Sequence, residues 1–210
     1  VLSDYLCKMK NQKVDIIEIS WELFFQFGIK SVTMDDIASK LGISKKTIYQ
    51  HFKNKNDLVE QAIEWQINHP LFSFQSEEIS HLNAIDQYIE FYKFIVNQIA
   101  NSCESMRYDL RKYYPKLWNK FHLTKLTTFQ NELSQNLEKG IQEGLFRPEI
   151  NVEWISKTMA RFYMNMAESD TLILEKEDIS NIEYHRELGL YHLHGVCTIK
   201  GMEYVKNNFK

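Results

Sequence analysis

The chain has 210 residues, 44% hydrophobic and 25% charged, with only seven glycines and three prolines, a composition that excludes disordered and fibrous classes and points to a folded globular protein. A net charge of -3 excludes a protein that is basic over its whole surface. No apolar run approaches the roughly 18 residues of a membrane span, and Val1–Lys13 lacks the features of a secretory signal.

A cytoplasmic location with no membrane partner is therefore expected, with Cys7, Cys103 and Cys197 as reduced thiols because they are odd in number and far apart. Strand-like alternation is scarce, whereas apolar residues three and four apart recur along most of the chain, so the fold class is all-α. The length suits two domains: an N-terminal three-helix module over 1–56 and a larger C-terminal α-helical bundle over 57–210.

The first predicted helix runs from about Lys10 to Phe27, with Ile16, Ile19, Leu23 and Phe27 as its apolar face and Gly28 as its stop. Thr33 precedes Met34-Asp35-Asp36 in the spacing of a capping box, opening a second helix that reaches Leu41. Gly42 ends that helix and Ser44 caps another only two residues later, which makes a tight helix-turn-helix. Ile48 and Phe52 face inward on Ile37 and Leu41, leaving Lys45, Lys46, Tyr49 and Gln50 outward.

Between Ala38 and Asn56 stand Lys40, Lys45, Lys46, Lys53 and Lys55 with no acidic residue, a local positive patch within a mildly acidic chain. Lys45 and Lys46 occupy the first turn of a helix, where the macrodipole disfavours cations. An anion in front of that helix end would offset the cost, so the placement points to DNA phosphates or base edges.

The run GIKSVTMDDIASKLGISKKTIYQHFKNKNDL, Gly28–Leu58, closely resembles the DNA-binding module of the TetR family of bacterial regulators. The resemblance covers Val14–Ile63 and includes the threonine before the second helix, the Asp-Ile-Ala core, the Gly-x-Ser turn, the Tyr-x-x-Phe and the Lys-x-Lys-x-x-Leu. Lys46 departs from it, since the family most often has glycine there. The resemblance implies a dimeric regulator, more often a repressor, whose two DNA-reading heads change spacing when a ligand binds. Lys45, Lys46, Thr47, Tyr49 and Gln50 are expected to enter the major groove of a palindromic duplex. Thr33, Ser44, His51 and Lys55 are expected to hold phosphates, partly on the resemblance.

A fourth helix begins near Asn56, passes Leu58, Ala62 and Trp65 and is broken at His69-Pro70; it is the expected lever between the domains. After a loop come helices over Asn83–Asn101 and Met106–Tyr113, then a long one from Pro115 through Ile141 to Gly144. Asn151 caps an eighth helix reaching Met166. A polar stretch, Glu168–Ser180, precedes one last helix from Ile182 to about Asn208, apolar on more than one side. Those last two helices are the expected homodimer interface, with Gly189, Gly195 and Gly201 allowing close approach.

Aromatic residues concentrate in the second domain, and buried Tyr and Trp need polar partners that a purely packing core avoids. An effector site for a small, largely apolar ligand is expected among Tyr92, Trp118, Phe121, Phe162 and Tyr163, with His122, Arg161 or Asn165 orienting a polar group. No metal site or cofactor is expected: His192 and His194 are two apart and so diverge on a helix, and no GxSxG, Walker or GxGxxG motif occurs. The chain is read as a regulator and not an enzyme. The competing reading is an all-α protein-interaction module whose helix-turn-helix no longer reads DNA.

Overall fold

The computed structural model describes residues 2–70, 72–101, 104–166 and 182–208, with side chains over 12–70, 72–98, 104–165 and 183–208. The elements are α1 (Leu2–Phe27), α2 (Met34–Leu41), α3 (Lys45–His51), α4 (Lys55–Asn68), α5 (Ala84–Asn101), α6 (Glu104–Tyr113), α7 (Pro115–Gln142), α8 (Val152–Met166), α9 (Ile182–Val196) and α10 (Ile199–Asn208). Extended pairing among the described residues amounts to one isolated antiparallel bridge, Phe146 with Cys197, so the chain is all-α. No helix among the described residues is long and apolar enough to cross a membrane. The stretch Glu168–Ser180 lies outside the described residues.

The chain divides into two compact units: Val1–Pro70 with Ser102–Thr124, and Leu71–Asn101 with Lys125–Lys210. This partition differs from a cut at residue 56. The first unit keeps all of α4 and recruits α6 and the start of α7, because their apolar residues Met106, Leu110 and Phe121 are buried with Ile16, Trp21 and Phe24 of α1 and Leu58, Val59, Ala62 and Ile63 of α4. Sequence separation hides such a union; burial reveals it.

Local signals set most helix ends. Thr33 and Asp36 make a reciprocal capping box at α2, the Thr33 hydroxyl accepting from Asp36 N and the Asp36 carboxylate accepting from Thr33 N. Gly42 stands at φ +64, the left-handed conformation that closes α2. α4 begins at Lys55, next to Asn56, and Asn54 caps it, its side chain accepting from Asp57 N. Asn151 caps α8 by accepting from Trp154 N.

Two expectations are corrected. The buried stripe of α1 is Ile16, Ile17, Ser20, Trp21 and Phe24, while Ile19 and Leu23 are half-buried and Phe27 is exposed. Both stripes obey helical spacing, and the one carrying the large Trp21 and Phe24 rings faces inward. The last helix is two helices: at Cys197 and Thr198 the chain leaves the helical path, because Arg147 N donates to Val196 O and Thr198 N to Leu145 O. The Thr198 hydroxyl then accepts from Gly201 N and starts α10.

The glycines of this region do not share one role. Gly201 packs under the chain's own Leu145 carbonyl and the Cys197 side chain, Gly189 lies against Tyr92, and only Gly195 faces open space. For the first two, close approach inside the unit replaces close approach to a partner. A further tight contact, Gly140 of α7 against the Phe146 ring, leaves no room for a Cβ. Phe146 is buried, so Gly140→Ala is expected to destabilise the protein by about 1–3 kcal/mol through overpacking despite the better helix propensity of alanine. Urea denaturation of the two proteins checks this: a midpoint that stays or rises contradicts it.

The second unit is built around Ala84, Ile85, Tyr88, Phe91 and Tyr92 of α5, Leu133 and Leu137 of α7, Ala160 and Tyr163 of α8, and Leu193 and Val196 of α9. Among these apolar groups lie polar ones. The Tyr88 and Tyr163 hydroxyls share a 2.6 Å hydrogen bond, and the buried His192 ring stacks on Tyr88 at 4.7 Å.

Candidate nucleic-acid interface

The helix-turn-helix is rigidly made. Ile37 of α2, Ile48 of α3 and Phe52, the residue that ends α3, are all buried in the core of the first unit. Ser44 caps α3 by accepting from Thr47 N at 3.1 Å, and the two hydroxyls are 2.8 Å apart. With one face of α3 pinned, Lys45, Lys46, Tyr49 and Gln50 all fall on its exposed side. Tyr49 is 47% exposed, a large ring left in water without structural need.

The two lysines of the first turn differ. Lys45 reaches back across the turn to Asp35 of α2 at 2.7 Å, and that hydrogen bond holds its ammonium above the ordinary lysine range. The macrodipole cost at Lys45 is thus offset within the protein. Lys46 has no ion pair among the described residues and faces solvent. It is the cation at this helix start to which no described residue supplies a counter-charge.

The expected phosphate-holding residues divide in the same way. Thr33 is exposed, but its hydroxyl is engaged with Asp36, whose carboxyl is held below the usual range chiefly by that hydrogen bond. His51 is half-buried, its Nε2 3.3 Å from Gln12 Oε1 of α1. Lys55 is half-buried at the start of α4 and donates to the Lys30 carbonyl at 3.5 Å. Burial first, and then the neighbouring Lys30 charge, pull its ammonium below the ordinary range, which favours a site that takes up an anion. Sequence reasoning missed Asp35 as the partner of Lys45. Opposite charges flanking a helix-turn-helix are the available signal, and it is weak without the fold.

The eight expected effector residues divide between the two units. Tyr92 and Tyr163 are buried together with ring centroids 5.9 Å apart, and Phe162 packs beside Tyr163. Arg161 and Asn165 are exposed on α8. Trp118, Phe121 and His122 belong to the first unit, where Phe121 packs on Trp21 of α1 at 5.8 Å and Trp118 lies 5.5 Å from His122. Sequence reasoning did not include Tyr88 and His192, which do join Tyr92 and Tyr163. The Tyr92 hydroxyl is buried with no hydrogen-bond partner among the described residues, and burial drives its phenol far above the usual range.

Residues 16–62 match the family model described as bacterial regulatory proteins, tetR family. Over 173 residues the chain is 25% identical to IcaR of Staphylococcus aureus, the negative transcriptional regulator of the biofilm operon icaADBC, covering 81% of this chain and 77% of the relative. The fold resembles that of a TetR transcriptional regulator from Chloroflexus aurantiacus, with TM-score 0.65, 16% identity and coverage of 90% and 98%. It also resembles CprB of Streptomyces coelicolor, a structure described as a complex with its biological operator sequence, with TM-score 0.57, 15% identity and 95% coverage of each chain. The capped helix-turn-helix and its exposed cationic face lie within residues 16–62, the part of the chain that matches the tetR family of bacterial regulatory proteins.

Proposed function

We propose that the protein is a homodimeric repressor that binds a palindromic operator through α3 and leaves it when a small, largely apolar effector enters the second unit. The observation that carries the reading is the outward face of α3, where Lys46, Tyr49 and Gln50 are held exposed by a fully buried opposite face. Such a face is costly as a bare surface and suited to a major groove. The role of IcaR as a negative regulator supports repression. Footprinting on the DNA upstream of the gene tests it: a protected, inverted-repeat site is expected, and no protection at low salt defeats the reading.

Dimerisation is supported by large apolar side chains in water on the second unit, Trp154 of α8 at 68% exposure and Tyr191 of α9 at 79%. A Trp154→Glu, Tyr191→Glu variant is expected to sediment as a monomer of about 25 kDa while the parent sediments as a dimer; a monomeric parent would remove the hypothesis. For the effector, the buried Tyr92 hydroxyl, unpaired among the described residues, supports a ligand that offers one hydrogen-bonding group within a core that also holds Tyr88, Phe91 and Tyr163.

A further inference from the structure

α6 lies within the same compact unit as the helix-turn-helix, and its charges and rings converge on the turn between α1 and α2. That turn, Gly28–Thr33, ends on the capping residue of α2. The Asp109 carboxylate of α6, buried, accepts from Lys30 N at 2.7 Å. The Lys30 ammonium lies over the Tyr113 ring, 4.0 Å from its centroid. Gly28, at φ +87, packs so closely on the Ser105 side chain that a Cβ would overlap it. One residue past Tyr113, the Tyr114 hydroxyl donates to Asn56 Oδ1 at 2.6 Å, and Asn56 adjoins Lys55.

The geometry points to Asp109 as a positioning residue for Lys55 in DNA binding. It holds the N–H of Lys30, and the carbonyl of the same residue, in the next peptide group, accepts from the Lys55 ammonium, so that Lys55 is presented to phosphate in one orientation. The electrostatics agree. Lys55 sits near the like charge of Lys30 and the opposite charges of Asp109 and Asp36. Asp36 is already committed to Thr33, and Asp109 is the carboxylate that also holds the backbone of the turn. A buried carboxylate hydrogen-bonded to a backbone N–H gives a stronger, more directional hold than a neutral acceptor.

The inference rests on the reading of the protein as a DNA binder, and its test separates the two. The parent chain, Asp109→Ala, Asp109→Asn, Lys55→Ala and the Asp109→Ala, Lys55→Ala double variant are titrated against a duplex from upstream of the gene at salt concentrations between about 50 and 200 mM. Asp109→Ala is expected to weaken binding about tenfold and to lower the slope of log affinity against log salt by about 0.9, the release of one phosphate contact. Asp109→Asn, nearly isosteric and still able to accept from Lys30 N, restores the slope. Added to Lys55→Ala, the alanine at 109 costs little more.

In the free protein, hydrogen exchange at the Lys30 amide is expected to quicken in Asp109→Ala and to stay near the parent rate in Asp109→Asn. A folded Asp109→Ala with unchanged salt slope, or losses that multiply in the double variant, overturns the inference. Should the parent not bind the duplex at all, the DNA-binding reading falls, and the exchange result still decides whether Asp109 holds the turn.

Discussion

Replacing Lys46 and Lys55 together by alanine is expected to weaken DNA binding about a hundredfold near physiological salt, with roughly tenfold from each lost charge-assisted contact. The slope of log affinity against log salt should fall by about 1.8, twice the contribution of one phosphate. Lys46 is exposed with no ion pair among the described residues, and Lys55 is half-buried in a site that disfavours its charge; for both, an arriving phosphate adds a directly bonded anion. Lys45→Ala should do less, because in the free protein its ammonium already pairs with Asp35. Gln50→Ala should leave the salt slope alone and reduce discrimination between operator and scrambled duplex by about 1–3 kcal/mol, as loss of a base-edge contact does. An unchanged slope in the Lys46, Lys55 variant would contradict the assignment.

The second large effect concerns pH. His192 is buried against Tyr88, and burial pushes its imidazole down to about 4, from an ordinary 6.5. The unfolded chain therefore takes up a proton as pH falls below about 6.5, whereas the folded chain does so only near 4. Stability is lost across that window and not above it, because unfolding binds the proton. The full loss is roughly 3 kcal/mol, of which about 2 is reached by pH 5. His192→Phe keeps a ring on Tyr88 but cannot titrate, so the drop in unfolding free energy between pH 7 and pH 5 should shrink by about 2 kcal/mol relative to the parent. Equal drops in both proteins would show that His192 is protonated alike in the folded and unfolded states.

The helix-turn-helix is legible before folding because its instructions are local. Thr33 and Asp36, Gly42 and Ser44 each act on backbone groups within a few residues of themselves, and capping strength depends little on what lies elsewhere. The outward face of α3 follows from the same short range, since burying Ile48 and Phe52 leaves Lys46, Tyr49 and Gln50 on the opposite side. Pro115 and Asn151 start α7 and α8 for equally local reasons.

What only the tertiary structure decided involves residues far apart in the chain. Helical spacing admits two apolar faces for α1, and the choice of Trp21 and Phe24 came from the neighbours that cover them. Phe121 follows the pattern of a bundle helix yet completes the core of the first unit. A continuous last helix satisfies the periodicity, but hydrogen bonds from Arg147 and Thr198 to residues about fifty positions away divide it. The Lys45–Asp35 pair and the hold of Asp109 on Lys30 are likewise invisible to spacing. Sequence determined the helix-turn-helix and the starts of α7 and α8 because those energies are set within a turn or two. Which faces meet was decided by packing, where the same apolar pattern has several partners and only the assembled core selects among them.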